Sequence, residues 1–268
     1  MRARCIVLWR CLAFHWIQPE SLSMSAVRYE SRDGIAVITI DREAQRNSVN
    51  NEVVQGLHGA WQRFAREDDR VAVLTGAGNQ CFCAGADLKD LPRDIWLAMP
   101  NLAVPCDKPV IAAVTGYAIG AGATMVMLAD MAVCSDDASF IYPEAKVGAF
   151  AGVMGGFPAR MPYKVGLEWA LTGDPLSAQR AYEIGFVNKV CARGEQLATA
   201  MVLAQKIAAN APLVVRTMKH LALETLPRNP MATYYPHKQL LDGIANSHDQ
   251  REGVAAFREK RAPRFEGR

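Results

Sequence analysis

Short apolar runs alternate along this chain with longer stretches in which apolar residues recur every three or four positions. In Tyr29 to Ile40 a turn at Asp33-Gly34 precedes the β-rich run Ile35-Ala36-Val37-Ile38-Thr39-Ile40, which predicts strand structure. Between Asn51 and Arg66 the residues Val53, Val54, Leu57, Ala60, Trp61 and Phe64 recur at helical spacing. Val71 to Leu74, Val110 to Val114 and Met131 to Cys134 are apolar runs of strand length. The first is broken by Thr75-Gly76-Ala77-Gly78-Asn79, and the second follows the stiff Asp107-Lys108-Pro109. Ala121 to Leu128 is helical in character and feeds the third run. Short strands alternating with helices predict an α/β fold with mainly parallel pairing.

After Gly156 the pattern turns helical, through Leu167 to Thr172, Ser177 to Gly185, Gly194 to Asn210 and Pro212 to Leu226. From Ser247 the tail is amphipathic, with Val254, Ala255 and Phe257 on one side. The expected organisation is an α/β body over residues 24–210 and a helical region over 211–268. Residues 1–23 differ from both. Arg2, Arg4 and Arg10 precede the first acid, Glu20, and the mostly apolar stretch Ile6 to Ile17 is too short to cross a bilayer. This segment is expected to lie outside the fold. Either it is a basic mitochondrial presequence, or translation begins at Met24 and the protein is cytoplasmic.

Half of the 268 residues are hydrophobic, enough for a sizeable core. A net charge of +3 gives no reason to expect nucleic acid as a partner, and Arg258, Lys260 and Arg261 do not form a lysine-rich helix. The seven cysteines are scattered and odd in number, which predicts reduced thiols in an intracellular protein. Cys81-Phe82-Cys83 is the one close pair and has no matching pair or histidine cluster to complete a zinc set. The five histidines are dispersed and none adjoins an obvious nucleophile, so a hydrolytic triad has little support.

Two glycine-rich loops each follow a strand: Cys83-Ala84-Gly85-Ala86-Asp87-Leu88-Lys89, and the run from Thr115 to Thr124 that contains Gly116, Gly120 and Gly122. Small residues let a backbone approach a ligand and present bare N–H groups, and equally let a strand and a helix pack closely. A helix beginning at the second loop adds its partial positive end. Neither loop matches the phosphate-cradling G-x-x-x-x-G-K-[ST] pattern or a convincing dinucleotide fingerprint. Glu144 follows Phe140, Ile141, Tyr142 and Pro143, a setting that can desolvate a carboxylate and raise its pKa toward useful acid–base values.

The segments Ala84 to Lys89, Lys108 to Gly122 and Pro143 to Gly148 resemble the crotonase (enoyl-CoA hydratase/isomerase) superfamily. So do Asp41 to Asn50 and the tail from Glu252 to Arg268, all in the family's order and spacing. The resemblance implies a spiral of ββα units with a C-terminal helical region that assembles trimers, often paired into hexamers. Phe257, Phe265 and Leu240-Leu241 would suit that assembly. It implies an acyl-CoA thioester substrate, an enolate held by the Ala86 and Ala121 amides, and acid–base work by Glu144. The CoA-contacting positions it implies are Arg46, Ser48, Ala84, Ala86, Asp87, Leu88, Lys89, Gly120 and Ala121. No metal, membrane or cofactor beyond the CoA of the substrate is implied.

The chain departs from the family at Thr124, where two-glutamate hydratases carry the second carboxylate. A threonine hydroxyl can orient water or a substrate oxygen but is a poor base, and in a helix it can bond its own backbone instead. A single glutamate resembles the arrangement in some Δ3,Δ2-enoyl-CoA isomerases. It also resembles hydroxycinnamoyl-CoA hydratase-lyases, in which a small hydroxyl residue occupies the Thr124 position. Tyr234-Tyr235 falls in the region that shapes acyl pockets in the family. The expected activity is enoyl-CoA hydratase-type, with isomerisation, hydratase-lyase chemistry and non-catalytic CoA-thioester binding as alternatives.

Overall fold

The computed structural model describes residues 26–149, 157, 160–225 and 238–268. The expectations for residues 1–23 and for Tyr234-Tyr235 lie outside the described residues. The chain opens with β1 (Val27–Arg32), β2 (Ile35–Ile40), α1 (Asn51–Arg66), β3 (Val71–Gly76), β4 (Cys81–Cys83), β5 (Val110–Val114) and β6 (Tyr117–Ile119). It continues with α2 (Ala121–Leu128), β7 (Met131–Ser135), β8 (Ser139–Ile141), α3 (Glu144–Val147), α4 (Tyr163–Thr172), β9 (Leu176–Ser177) and α5 (Ala178–Glu183). The last elements are β10 (Lys189–Cys191), α6 (Gln196–Ala208), α7 (Pro212–Thr225), α8 (Lys238–Ala245) and α9 (His248–Glu259).

β1 and β2 form a hairpin about the turn expected at Asp33-Gly34, where both residues take positive φ, 54° and 74°. A two-residue turn of that hand matches the twist of the paired strands. From β2 the larger sheet is parallel, in the order β1-β2-β3-β5-β7-β10. Both of its faces are covered. Val71, Val73, Ile111 and Val133 meet Ala200 and Ala204 of α6 on one side. Ala72, Leu74, Ala112 and Val114 share the other side with Val53, Leu57 and Phe64 of α1. Double burial explains why β3 reads as an unbroken apolar run rather than an alternating one.

A smaller sheet stands beside it in the order β4-β6-β8-β9. Each of its parallel strands follows a strand of the larger sheet in sequence, and β5-β6-α2 and β7-β8-α3 are successive ββα units. Here the structure corrects the sequence reading: Tyr117–Ile119, taken as part of a glycine loop, is a strand paired with β4 and β8. Three residues are too few to show a periodicity, and Tyr117 points outward while Ala118 is buried.

Buried cations fix the ends of helices. Lys108 donates from Nζ to the carbonyls of Phe64, at 2.6 Å, and Glu67, closing the C-terminal end of α1. Lys219 of α7 donates at 2.7 Å to each of Asn101 Oδ1, the Lys108 carbonyl and Asp130 Oδ2, which ties the C-terminal region to the sheet. Among the described residues no single helix is long and apolar enough to cross a membrane.

Candidate active site

The two glycine loops meet at the ends of β4 and β6. Val49 donates to the Gly85 carbonyl and accepts from the Asp87 amide, both at 2.8 Å, forming a parallel bridge opposite Ala86. In such a bridge the flanking peptides face the partner, so the N–H of Ala86 itself is turned to the other side. Gly85 has φ 91°, and a Cβ on it would stand 3.0 Å from the Ile119 carbonyl oxygen and 3.9 Å from the Ala121 nitrogen. The second loop turns at Gly120, with φ 52° and ψ −110°, and Ala121 opens α2. The first amides of a helix have no partner within it. Neither the Ala86 nor the Ala121 N–H meets an acceptor among the described residues. Two bare donors therefore sit on adjoining loops, one of them at the positive end of a helix, an arrangement suited to a developing oxyanion.

Glu144 reaches the same place from β8. β8 ends at Ile141, Pro143 caps the next element, and Glu144 is the first residue of α3. Its Oε1 would lie 3.0 Å from a Cβ on Gly120, and glycine there leaves room for the carboxylate. Oε2 is buried with no hydrogen-bond partner among the described residues. Burial pushes the carboxyl up from 4.5 to about 8. A carboxyl mostly neutral near pH 7, with one oxygen unpartnered and beside two bare amides, is configured to give a proton or to take one. Around it, α3 is tied down by Lys146, which donates to the Gly173 carbonyl at 3.1 Å and to Asp174 at 3.0 Å. α9 packs so closely on α3 that a Cβ on Gly253 would collide with the Val147 carbonyl.

The structure sorts the expected CoA-contacting residues into two groups. Ser48 and Asp87 turn their side chains to each other, at 3.2 Å, and to Arg42, whose Nη1 lies 3.1 Å from Asp87 and 2.7 Å from the Ser48 carbonyl. Burial works to raise the Asp87 carboxyl, but bonds from the Lys89 N–H, Arg42 and Ser48 outweigh it and hold the carboxyl below its usual range. These two side chains fix the loop, because Arg42 is nearly buried and needs them as its counter-charge and acceptor. Arg46, in the left-handed region at φ 53°, and Lys89 stay exposed, and the Arg46 carbonyl accepts from Ala84 at 3.0 Å. The Leu88 carbonyl accepts from Arg258 Nη2 at 2.8 Å. Sequence reading missed that contact, because nothing local marks a pair that far apart in the chain.

Thr124 is brought close but is not placed as a base. Its hydroxyl is buried and donates to the Gly120 carbonyl at 3.0 Å, so the self-bonded alternative holds over the free one. Among the described residues no cluster of His, Cys, Asp or Glu is placed to hold a metal ion.

Residues 30–268 match the enoyl-CoA hydratase/isomerase family. Over 257 residues the chain is 35% identical to the (E)-benzylidenesuccinyl-CoA hydratase of Thauera aromatica, covering 90% of this chain and 99% of that one. It is 35% identical over 262 residues to the carnitinyl-CoA dehydratase of Proteus mirabilis, covering 89% and 97%. The fold is similar to the crystal structure of carnitinyl-CoA hydratase from Mycobacterium avium, with a TM-score of 0.82 at 34% identity over 91% of this chain and 99% of that one. A probable enoyl-CoA hydratase/isomerase from Mycobacterium abscessus gives 0.70 at 40% identity, covering 91% and 99%. This chain belongs to the enoyl-CoA hydratase/isomerase family and is an enzyme with an acyl-CoA thioester as its substrate.

Proposed function

We propose that the enzyme is of enoyl-CoA hydratase type, adding water across the 2,3 double bond of an enoyl thioester with Glu144 as its one proton carrier. The observation that carries this reading is the Glu144 carboxyl, neutral below about pH 8, with an unpartnered oxygen beside the Ala86 and Ala121 amides. Water oxygen bonds to C3 and the π electrons move to the thioester oxygen, where the two amides hold the enolate. The enolate collapses and C2 takes the proton of Glu144. The proton released by the adding water returns to the carboxylate, so the enzyme ends as it began. Each amide supplies on the order of 3 kcal/mol in the transition state, because it meets more charge there than in the substrate. The words hydratase and dehydratase in the names of the relatives support water addition or removal.

Thr124 favours a second reading. With its hydroxyl bonded to Gly120, the same apparatus suits Δ3,Δ2 isomerisation, in which Glu144 takes a proton from C2 and returns it at C4. Purified enzyme given 2-enoyl-CoA and 3-enoyl-CoA separates the two: a 3-hydroxyacyl product supports hydration, and double-bond migration without added water supports isomerisation. Glu144→Gln abolishes either, and full activity in that variant would sink the role given to Glu144.

The exposed Leu213, Val214, Met218 and Leu221 of α7 support assembly of a trimer through that helix. Light scattering tests it.

A further inference from the structure

The Gly120 carbonyl oxygen accepts two hydrogen bonds from one residue, from Thr124 N–H at 2.9 Å and from Thr124 Oγ1 at 3.0 Å. That carbonyl and the Ala121 N–H are opposite ends of a single peptide unit, whose resonance couples them. Donors on the oxygen draw electron density from the nitrogen and make the N–H a stronger donor in turn. They also fix the plane. With φ 52° and no Cβ, Gly120 offers little steric resistance to rotation of the peptide that follows it.

Bonds from a threonine hydroxyl to the carbonyl four residues back occur elsewhere in the molecule and do nothing of this kind. Thr172 Oγ1 donates to the Glu168 carbonyl at 2.8 Å, but the amide joined to that carbonyl, on Trp169, lies inside α4 and is bonded within the helix. Ala121 is different because it is the first residue of α2, and its N–H meets no acceptor among the described residues. The effect of the hydroxyl is delivered to an open donor.

We propose that Thr124 is a positioning residue of the oxyanion site: its hydroxyl holds and polarises the Gly120–Ala121 peptide, and so sets the strength with which the Ala121 N–H binds the enolate oxygen. This rests on the reading that Ala121 is one of the two oxyanion donors. It gives Thr124 a role in every reaction that passes through the enolate, whether or not water is a reactant.

Two assays on the full chain separate that role from direct action on water. Exchange of the C2 protons of a saturated acyl-CoA with D2O, followed by mass spectrometry, needs the enolate but no attacking water; hydration of a 2-enoyl-CoA needs both. Thr124→Val keeps the shape and removes the hydroxyl. Since removing a whole oxyanion donor costs about 100- to 1,000-fold, weakening one is expected to lower kcat about 3- to 10-fold in both assays, with KM changed by less than about twofold. Thr124→Ser restores both rates. Thr124→Ala supplies the same comparison if valine repacks the helix, with thermal unfolding measured for each variant. Loss of hydration with exchange intact would show the hydroxyl acting on water and overturn the proposal, as would unchanged rates in both assays. Absence of exchange in the unmodified enzyme overturns the enolate reading itself, and is seen before any variant is made.

Discussion

Arg258 of α9 donates from Nη2 to the carbonyl of Leu88 at 2.8 Å, and the same helix rests on α3 through Gly253 and the Val147 carbonyl. One C-terminal helix thus touches both the loop that carries the Ala86 amide and the short helix that begins with Glu144. Its own tail is held in place: Asp249 accepts from the Glu266 and Gly267 amides at 2.7 and 2.8 Å, and Arg261 pairs with Glu252 at 2.6 Å. Arg258→Ala is expected to loosen the first loop and lower kcat about 3- to 10-fold, with partial recovery in Arg258→Lys, because small displacements of an oxyanion donor are costly. The bond is exposed, so global stability should change by no more than about 1 kcal/mol. Steady-state kinetics and urea unfolding on the same preparations test both statements; a large stability loss with kinetics intact in the folded fraction would refute the positioning role.

Gly120 is constrained twice, by its backbone and by its neighbour. Its φ of 52° with ψ −110° is a conformation that L side chains rarely adopt, and a Cβ would press on Glu144 Oε1 at 3.0 Å. Gly120→Ala should cost about 1–3 kcal/mol of stability from backbone strain and remove about 100-fold or more of the activity, through displaced Glu144 and a tilted Ala121 amide. Gly59, where a Cβ would meet nothing within 4 Å, is the control: Gly59→Ala should leave activity unchanged and slightly stabilise α1. Equal effects at the two positions would contradict the geometry.

Much of this arrangement was legible in the chain. The turn at Asp33-Gly34, the apolar face of α1 and the start of α2 at Ala121 follow from local chemistry that tertiary structure has no reason to override. Glu144 beside a glycine loop followed from family spacing, and its desolvation from the residues before it. The second sheet was not legible in full, because strands such as Tyr117–Ile119 are too short to carry a pattern and are held by partners on other segments. The commitments of Ser48 and Asp87 to Arg42, and of Arg258 to Leu88, depend on contacts between distant positions. Thr124 lay between: sequence offered a free hydroxyl or a self-bonded one, and the bond to Gly120 decides it.

Lys219 is the buried cation on which attachment of the C-terminal region turns. Its Nζ makes three bonds of 2.7 Å, one of them to the nearly buried Asp130 carboxylate, which also accepts from the Val110 amide. Lys219→Ala would leave Asp130 buried without its counter-charge, and breaking a buried pair in this way costs about 3–5 kcal/mol. Urea unfolding should show that loss, whereas Lys206→Ala on α6, a lysine for which no partner is found among the described residues, should change stability by less than about 0.5 kcal/mol. A loss under about 1 kcal/mol at Lys219 would mean the network is not structural.

The raised Glu144 carboxyl makes two opposed rate profiles and one stability profile. Where it must start as the carboxylate and take a proton, as in C2 exchange, kcat/KM should climb as pH rises through about 8 and then level off. Where it must give one, as in hydration, kcat/KM should fall through the same pH. For stability, the folded state holds this proton between about pH 4.5 and about 8 while the unfolded chain has released it. Unfolding free energy therefore declines as pH rises across that window, by on the order of a few kcal/mol from this group. Glu144→Gln removes the ionisation. The variant should match the unmodified protein near pH 4 and exceed it in stability near pH 9, since only the carboxylate has to be held charged in a buried place that leaves one of its oxygens without a partner. Urea titrations of both proteins at the two pH values test this, and a variant no more stable than its parent at the higher pH would place the Glu144 pKa in the ordinary range.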